Sequence, residues 1–281
     1  MERVVVGVDG SVTSLDALSW SADFARRAGL ELVVARVFVA PQAELPPDFY
    51  AEAHADQRQE LEQWCDSFTS DLRWRALLLD GDAPEALLAC ARDEQADLLV
   101  VGGRGTGGFT GLQLGSTAHH LAHHATLPLA IVPTSGAGPI QHVIAGVDGS
   151  VPSLAAAGFA ADLAADLGVE ATAVYALSPM PEWVKESDPR SWRSRARKAA
   201  RSWAEPLEAR GVTVDIDIER ETHPVVALGH ALEAHPGSVA IVGTRGLGGF
   251  TGLRLGHVPL QLVHHTGAAT ILVPPPPARP T

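Results

Sequence analysis

Short apolar segments alternate with amphipathic segments along the whole chain. The first apolar run covers residues 4–8, and the next stretch, 14–28, carries Leu and Ala at helical spacing. This order continues to the end of the sequence. It predicts strands at 4–8, 32–39, 74–79, 97–101 and 129–132, helices at 14–28, 52–69, 84–92 and 117–124, and a second set of strands at 143–147, 171–176, 213–218, 239–242 and 270–273.

The apolar strands indicate how the sheets are covered. A run such as Leu98-Leu99-Val100-Val101 lacks the polar alternation of a half-solvated sheet, so both of its faces are expected to be buried. The predicted fold class is α/β, with two tandem open parallel five-stranded sheets and helices on both faces, of a Rossmann-like type. Ligands of such sheets bind beyond the carboxyl ends of the strands, where Asp9 and Gly102 lie.

The chain contains an internal repeat. The glycine-rich segment that runs from Gly102 to Ser116 recurs from Gly243 to His257, and the Asp-Gly-Ser sequence after the first strand recurs at Asp148. We therefore expect one duplicated domain. The predicted boundaries are a first domain at 1–134, a linker at 135–141, a second domain at 142–274 and a proline-rich tail at 275–281.

Composition restricts the partners. The formal net charge is −12, which argues against a nucleic-acid partner, and the basic stretch 190–201 is interpreted as a solvated face or a domain contact. No apolar run reaches the ~18 residues that a membrane span needs, so a cytosolic protein is expected. Cys65 and Cys90 are predicted to be reduced, partly buried thiols.

The glycine segment suits a phosphate group. Glycine lets backbone amides approach an anion without a Cβ in the way, and Ser116 and Thr117 begin a predicted helix whose N–H groups favour negative charge. Asp9 is better suited to the nucleoside end. Arg104 and Arg245 could neutralise phosphate, or equally face solvent or a partner domain.

These motifs resemble those of the universal stress protein family in its tandem form. The family's spaced glycine motif is met by Gly102, Gly105, Gly115 and Ser116, and its strand-end aspartate by Asp9. The resemblance implies an adenine nucleotide alpha hydrolase-like fold, binding of an adenine nucleotide, most often ATP, and pairing of domains through their last strands. It also places adenine against the backbone at the end of the second strand.

Each repeat therefore supplies a candidate site. The predicted nucleotide-binding residues are Asp9, Val37, Gly102, Gly103, Arg104, Gly105, Gly115, Ser116 and Thr117 in the first repeat, and Asp148, Ala176, Gly243, Thr244, Arg245, Gly246, Gly256, His257 and Val258 in the second. His257 stands where the family has serine or threonine. Binding at the second site is therefore expected to be weaker or pH-dependent.

Other interpretations of the same residues remain open. Asp9-Gly10-Ser11 could be only a turn before a helix N-cap, and Gly103 begins a G-x-G-x-x-G pattern that is a weak signal for NAD because it follows the fourth strand. The i,i+4 histidine pairs at 119, 120, 123 and 124 could clamp zinc, but the helix dipole explains them better, so no metal is predicted.

The predicted function is that of a cytosolic ATP-binding stress-response protein, with no catalytic residue and with any Mg²⁺ held mainly by the phosphates. The alternatives are a slow ATPase or phosphotransferase, and a dimerisation module with vestigial nucleotide sites. The expected partners are an adenine nucleotide, the second domain of the same chain through 129–132 and 270–273, a second copy in a homodimer, and an unidentified downstream protein; nucleic acid and membrane are not expected.

Overall fold

The structure, a computed structural model, describes residues 1–38, 47–105, 114–134, 138–177, 189–220, 222–247 and 255–276. The chain forms two compact units, Met1–Ala137 and Gly138–Thr281. In the described residues, no helix is both long and apolar enough to cross a membrane.

The first unit is a parallel five-stranded α/β sheet. Its elements are β1 (Arg3–Val8), α1 (Val12–Ala28), β2 (Glu31–Val37), α2 (Pro47–Thr69), β3 (Trp74–Leu79), α3 (Ala83–Asp93), β4 (Leu98–Gly102), α4 (Ser116–His124) and β5 (Leu129–Val132). The strand order is β3-β2-β1-β4-β5, and every pair is parallel. Helix α1 packs on β1 and β4, whereas α3 packs on β1, β2 and β3.

The second unit repeats this arrangement. Its elements are β6 (His142–Gly146), α5 (Val151–Leu167), β7 (Glu170–Leu177), α6 (Pro189–Trp203), α7 (Glu205–Ala209), β8 (Val214–Arg220), α8 (Pro224–Ala234), β9 (Ser238–Gly243), α9 (His257–His265) and β10 (Thr270–Val273). The strand order is β8-β7-β6-β9-β10, again all parallel. The predicted α/β fold class is confirmed.

The central strands explain why their sequence is apolar at every position. Val4, Val5, Leu98 and Leu99 are all fully buried, although neighbouring positions of a strand point to opposite faces of the sheet. Both faces must therefore be covered. Each such leucine contributes about 1.5–3 kcal/mol through the burial of its side chain.

Each unit opens with the same turn and helix cap. Gly10 and Gly149 take positive φ angles of 82° and 81°, which favour glycine. The next residue, Ser11 or Ser150, accepts a hydrogen bond from the backbone N–H three residues on, at 3.2 and 3.3 Å. The Asp-Gly-Ser sequence is thus a turn before an N-cap, as one of the two interpretations proposed.

Most predicted elements agree closely with the observed bounds. Strands β3, β5 and β10 begin and end at the predicted residues. Helix α2 differs most, because it begins at Pro47 rather than at 52. Proline suits the first turn of a helix, because a backbone N–H at that position would have no partner within the helix. The predicted strand end at residue 39 lies outside the described residues.

Candidate functional site

A cavity of about 770 Å³ lies at the carboxyl end of the sheet in the first unit. Residues that follow β1, β2, β3 and β4 line it, together with the first turn of α4. Its volume is within the range of pockets that hold small ligands, ~300–1,000 Å³. Of the residues predicted for the first site, those that line it are Asp9, Val37, Gly102, Arg104, Gly105, Gly115, Ser116 and Thr117.

Gly103 has a different role, because it ties the two ends of the glycine loop together. Its N–H donates to the carbonyl of Val132 at 2.8 Å, and its carbonyl accepts from the N–H of Gly115 at 2.7 Å. These bonds bring the end of β4 beside the start of α4. Residues 106–113, the middle of the loop, lie outside the described residues.

Two of the glycines are needed because other groups approach them closely. A Cβ on Gly102 would lie 2.7 Å from the carbonyl oxygen of Thr13, and a Cβ on Gly105 would lie 2.6 Å from Oδ2 of Asp9. The other oxygen of Asp9, Oδ1, accepts a hydrogen bond from the N–H of Ser11 at 3.0 Å. The carboxylate therefore lies between the first turn and the glycine loop, so these two parts of the motif are in contact.

The start of α4 carries groups that are suited to an anion. Gly115 occupies the N-cap position with extended angles and offers no side chain to the first turn. The N–H groups of that turn are therefore available to a ligand, and the helix dipole adds partial positive charge there. Ser116 and Thr117 line the cavity at this point.

The charged side chains around the cavity are mostly acidic. Asp9, Asp80 and Asp82 line it, and Arg104 is the single arginine or lysine among its described lining residues. A highly charged anion alone would be opposed by these carboxylates. An anion bound together with a divalent cation would be opposed less.

Two aromatic side chains line one side of the cavity, and no sequence pattern indicated them. Phe38 and Tyr50 pack edge to face with ring centroids 5.0 Å apart. The Tyr50 hydroxyl donates to Oδ1 of Asp80 at 2.6 Å, and this hydrogen bond raises the pKa of Tyr50. Asp80 could have been found from its position after β3, because that strand ends at the same edge of the sheet as β1.

The equivalent cavity of the second unit is much smaller, about 90 Å³. Val174 and Pro224 line it at the repeat positions of the smaller Ala35 and Ala83, which line the first cavity. Among the described residues it also lacks a wall like that of Phe38, Tyr50 and Asp80. The predicted residues that line it are Asp148, Ala176, Gly243, Arg245, Gly246 and Val258; Thr244, Gly256 and His257 do not.

The Asp148 carboxylate is already occupied by backbone donors. Its Oδ1 accepts from the N–H of Ser150 at 2.9 Å, and its Oδ2 from the N–H of Leu247 at 3.0 Å. Burial by itself would raise the pKa of Asp148, but these hydrogen bonds outweigh it and the pKa lies below its ordinary value. In this unit the aspartate holds the glycine loop against the first turn.

His257 packs against another histidine instead of lining the second cavity. Its ring meets that of His223 edge to face, with centroids 5.6 Å apart. The two rings lie at the starts of α9 and α8. Ser116, the equivalent of His257, lines the first cavity, so the two repeats differ at this position.

The histidines of α4 pack against each other in pairs. His119 and His123 lie with ring centroids 4.7 Å apart, and His120 and His124 with 4.2 Å. The Nε2 atom of His120 lies 3.1 Å from Oε1 of Glu85 on α3. Within the described ranges, no group of three or more His, Cys, Asp and Glu side chains is placed to hold a metal ion.

The parallel five-stranded units and their carboxyl-end glycine loops define an α/β protein of the adenine nucleotide alpha hydrolase-like type. The family model described as "Universal stress protein family" matches residues 1–133 and again residues 139–274. The chain therefore belongs to the universal stress protein family, in a tandem form.

Relatives that align over nearly their whole length support this assignment. A universal stress protein of Mycobacterium tuberculosis (strain H37Rv) is 29% identical over 96% of this chain and 94% of its own length. One from Mycolicibacterium smegmatis is 27% identical over 97% of each chain. The crystal structure of a universal stress protein from Archaeoglobus fulgidus is similar in fold, with a TM-score of 0.71 at 18% identity, over 97% of this chain and 98% of that chain.

Proposed function

We propose that this protein is a cytosolic ATP-binding regulatory protein whose principal nucleotide site is the cavity of the first unit. One observation carries the proposal: the strand-end aspartate, the glycine loop and the open first turn of α4 converge on a cavity of about 770 Å³. A binding pocket of that size with these groups suits a nucleotide.

The residues present suggest how ATP would lie. Its phosphates would meet the first turn of α4 at Ser116 and Thr117, beside the backbone of Gly105 and the side chain of Arg104. The nucleoside would lie towards Asp9 and the end of β2. Because carboxylates predominate around the cavity, Mg²⁺ bound to the phosphates should strengthen the binding of ATP.

The second unit is proposed to bind ATP weakly or not at all. Its cavity of about 90 Å³ is below the size that a nucleotide requires. His257 also replaces the hydroxyl that Ser116 offers. The domain pairing through 129–132 and 270–273 and the downstream protein partner also remain predictions.

A regulatory role is favoured over catalysis by the arrangement of Asp9. Phosphoryl transfer needs groups that position water and metal at the terminal phosphate. Asp9 instead lies against Gly105 and accepts from Ser11 at the turn. We therefore propose that bound ATP acts as a ligand that biases the protein's conformation or its choice of partner.

The first experiment is to denature the freshly purified protein, identify the released nucleotides by chromatography and then titrate the ligand-free protein with ATP by calorimetry. We expect one ATP per chain and tighter binding with Mg²⁺. Ser116→Ala should weaken binding about tenfold to a hundredfold, since a hydrogen bond to a charged group contributes about 1.5–3 kcal/mol. Ser67→Ala, on the exposed side of α2, is the control.

The outcomes separate the alternatives. Released ADP with steady phosphate production would favour a slow ATPase or phosphotransferase. A ligand-free protein that ATP neither binds nor stabilises would contradict the proposal and favour a dimerisation module.

A further inference from the structure

Helices α2 and α6 occupy equivalent places in the two repeats but carry opposite charge. In α2 the exposed charged residues are predominantly acidic, namely Glu52, Asp56, Glu60, Glu62 and Asp66, with Arg58 as the exception. Helix α6 contains no acidic residue. Its exposed charged residues, among those whose side chains are described, are Arg195, Arg197, Lys198 and Arg201.

The inward faces of the two helices show that they are equivalent. At the repeat offset that relates Asp9 to Asp148, Leu61 aligns with Ala200 and Cys65 with Ala204, and all four of these side chains are buried. On the outward faces, the same alignment makes acidic residues of α2 equivalent to basic residues of α6. The exchanged pairs are Asp56 with Arg195 and Glu62 with Arg201.

The charges lie on the side of each helix that faces away from its unit. Glu52 and Asp56 are four residues apart and share one face of α2, whereas the buried Leu61 and Cys65 define the opposite face. In α6, Lys198 and Arg201 are three residues apart and exposed, whereas Ala196 and Ala200 are buried. Each helix therefore presents a charged stripe of one sign to solvent.

Several of these charges have no ion-pair partner within the described parts of the chain. Arg58 pairs with Glu62 at 3.2 Å, and Arg201 pairs with Glu208 at 2.9 Å. Glu52, Asp56 and Asp66 form no ion pair among the described residues; the same holds for Arg197 and Lys198. These groups are available to a partner.

We propose that α2 of one molecule docks against α6 of a second copy of this chain, so that copies associate through complementary helices. Each chain offers one acidic and one basic helix, and the charge of each helix is complementary to that of the other. A nucleic acid is a poorer partner for α6 because the whole chain carries a net charge of −12. This proposal does not depend on nucleotide binding.

Association of this kind should be weak and sensitive to salt. Exposed ion pairs are individually weak, and their interaction is screened when the Debye length shortens from about 30 Å at 0.01 M to about 10 Å at 0.1 M salt. We expect the dissociation constant to rise at least about tenfold between 20 mM and 300 mM NaCl.

The test uses two charge-reversal variants and sedimentation velocity at 20 mM NaCl. The first variant replaces Glu52, Asp56, Glu60 and Asp66 by lysine, which makes α2 basic like α6. The second replaces Arg195, Arg197, Lys198 and Arg201 by glutamate, which makes α6 acidic like α2. Each variant alone should lose association, whereas an equimolar mixture should associate again, because every helix then meets one of opposite charge. Circular dichroism checks that both variants fold. The control, Asp93→Lys with Glu233→Lys, reverses exposed charges on α3 and α8 and should associate like the original protein.

Rescue by mixing can arise only between separate molecules. A wild-type protein that is monomeric at 20 mM NaCl, variants that still associate alone, or a mixture that stays monomeric would each overturn the proposal. A titration with fluorescent single-stranded DNA is run in parallel. Binding of DNA that disappears in the second variant, without association of the wild type, would assign α6 to nucleic acid instead.

Discussion

Replacing Gly105 by alanine should weaken ATP binding and also lower the stability of the protein. The added Cβ would lie 2.6 Å from Oδ2 of Asp9, closer than carbon and oxygen atoms approach without a bond. The glycine has no positive φ, so the expected effect is steric. The carboxylate must move away from the loop, and its hydrogen bond from the N–H of Ser11 at 3.0 Å is then strained or lost.

The size of the effect follows from that contact. A hydrogen bond to a charged group contributes about 1.5–3 kcal/mol, so we expect Gly105→Ala to lower the free energy of unfolding by about 1–2 kcal/mol. The same displacement moves the aspartate and the loop that ATP is proposed to contact. The dissociation constant for ATP should therefore rise about tenfold to a hundredfold, or about 1.4–2.7 kcal/mol.

A matched variant in the second unit isolates the binding effect. A Cβ on Gly246 would lie 2.5 Å from Oδ2 of Asp148, so Gly246→Ala should cost similar stability. Because the second unit is proposed to bind ATP weakly or not at all, this variant should leave the ATP affinity measured by calorimetry nearly unchanged. If Gly105→Ala folds and binds ATP within twofold of the original affinity, the proposed role of the Asp9 contact is wrong.

Three further results are expected. Burial, together with the neighbouring His235, lowers the pKa of His142, so the folded protein prefers the neutral ring. The urea midpoint of unfolding should therefore fall as the pH drops below about 6.5. The fall should be smaller in His142→Gln, and an equal fall in the variant and the original protein would contradict this. Burial raises the pKa of Cys65 to about 12 and that of Cys90 to about 11. A disulfide reagent at pH 8 should therefore modify the native thiols at most about one-hundredth as fast as free cysteine. Rapid labelling of the native protein would refute this prediction. Tyr50→Phe keeps the aromatic ring but loses the hydrogen bond from the hydroxyl to Asp80 in the turn after β3. The variant should weaken ATP binding about fivefold by calorimetry. An unchanged affinity would show that the hydroxyl does not contribute to binding.

The elements of the fold were predictable because they depend on local pattern. The predicted bounds of strands β5 and β10 agree with the structure at both ends. Each is a short apolar run between turn residues, a pattern typical of a strand that is buried on both faces of a parallel sheet. The repeat of the glycine segment pointed to the carboxyl end of the sheet, where the cavity of the first unit lies. The start of α2 was missed, because the segment before residue 52 carries no regular apolar spacing.

Only the tertiary structure showed how much the cavities of the two repeats differ. The glycine loops are almost the same in sequence, yet the cavities measure about 770 and 90 Å³. Tyr50 and Asp80 reach the first cavity from different elements, and Pro224 narrows the second. The sequence by itself determined the elements and the position of the loops, because the apolar patterns and turn residues that set them are local in the chain. The volume between those loops depends on side chains that are distant along the chain, and only packing brings them together.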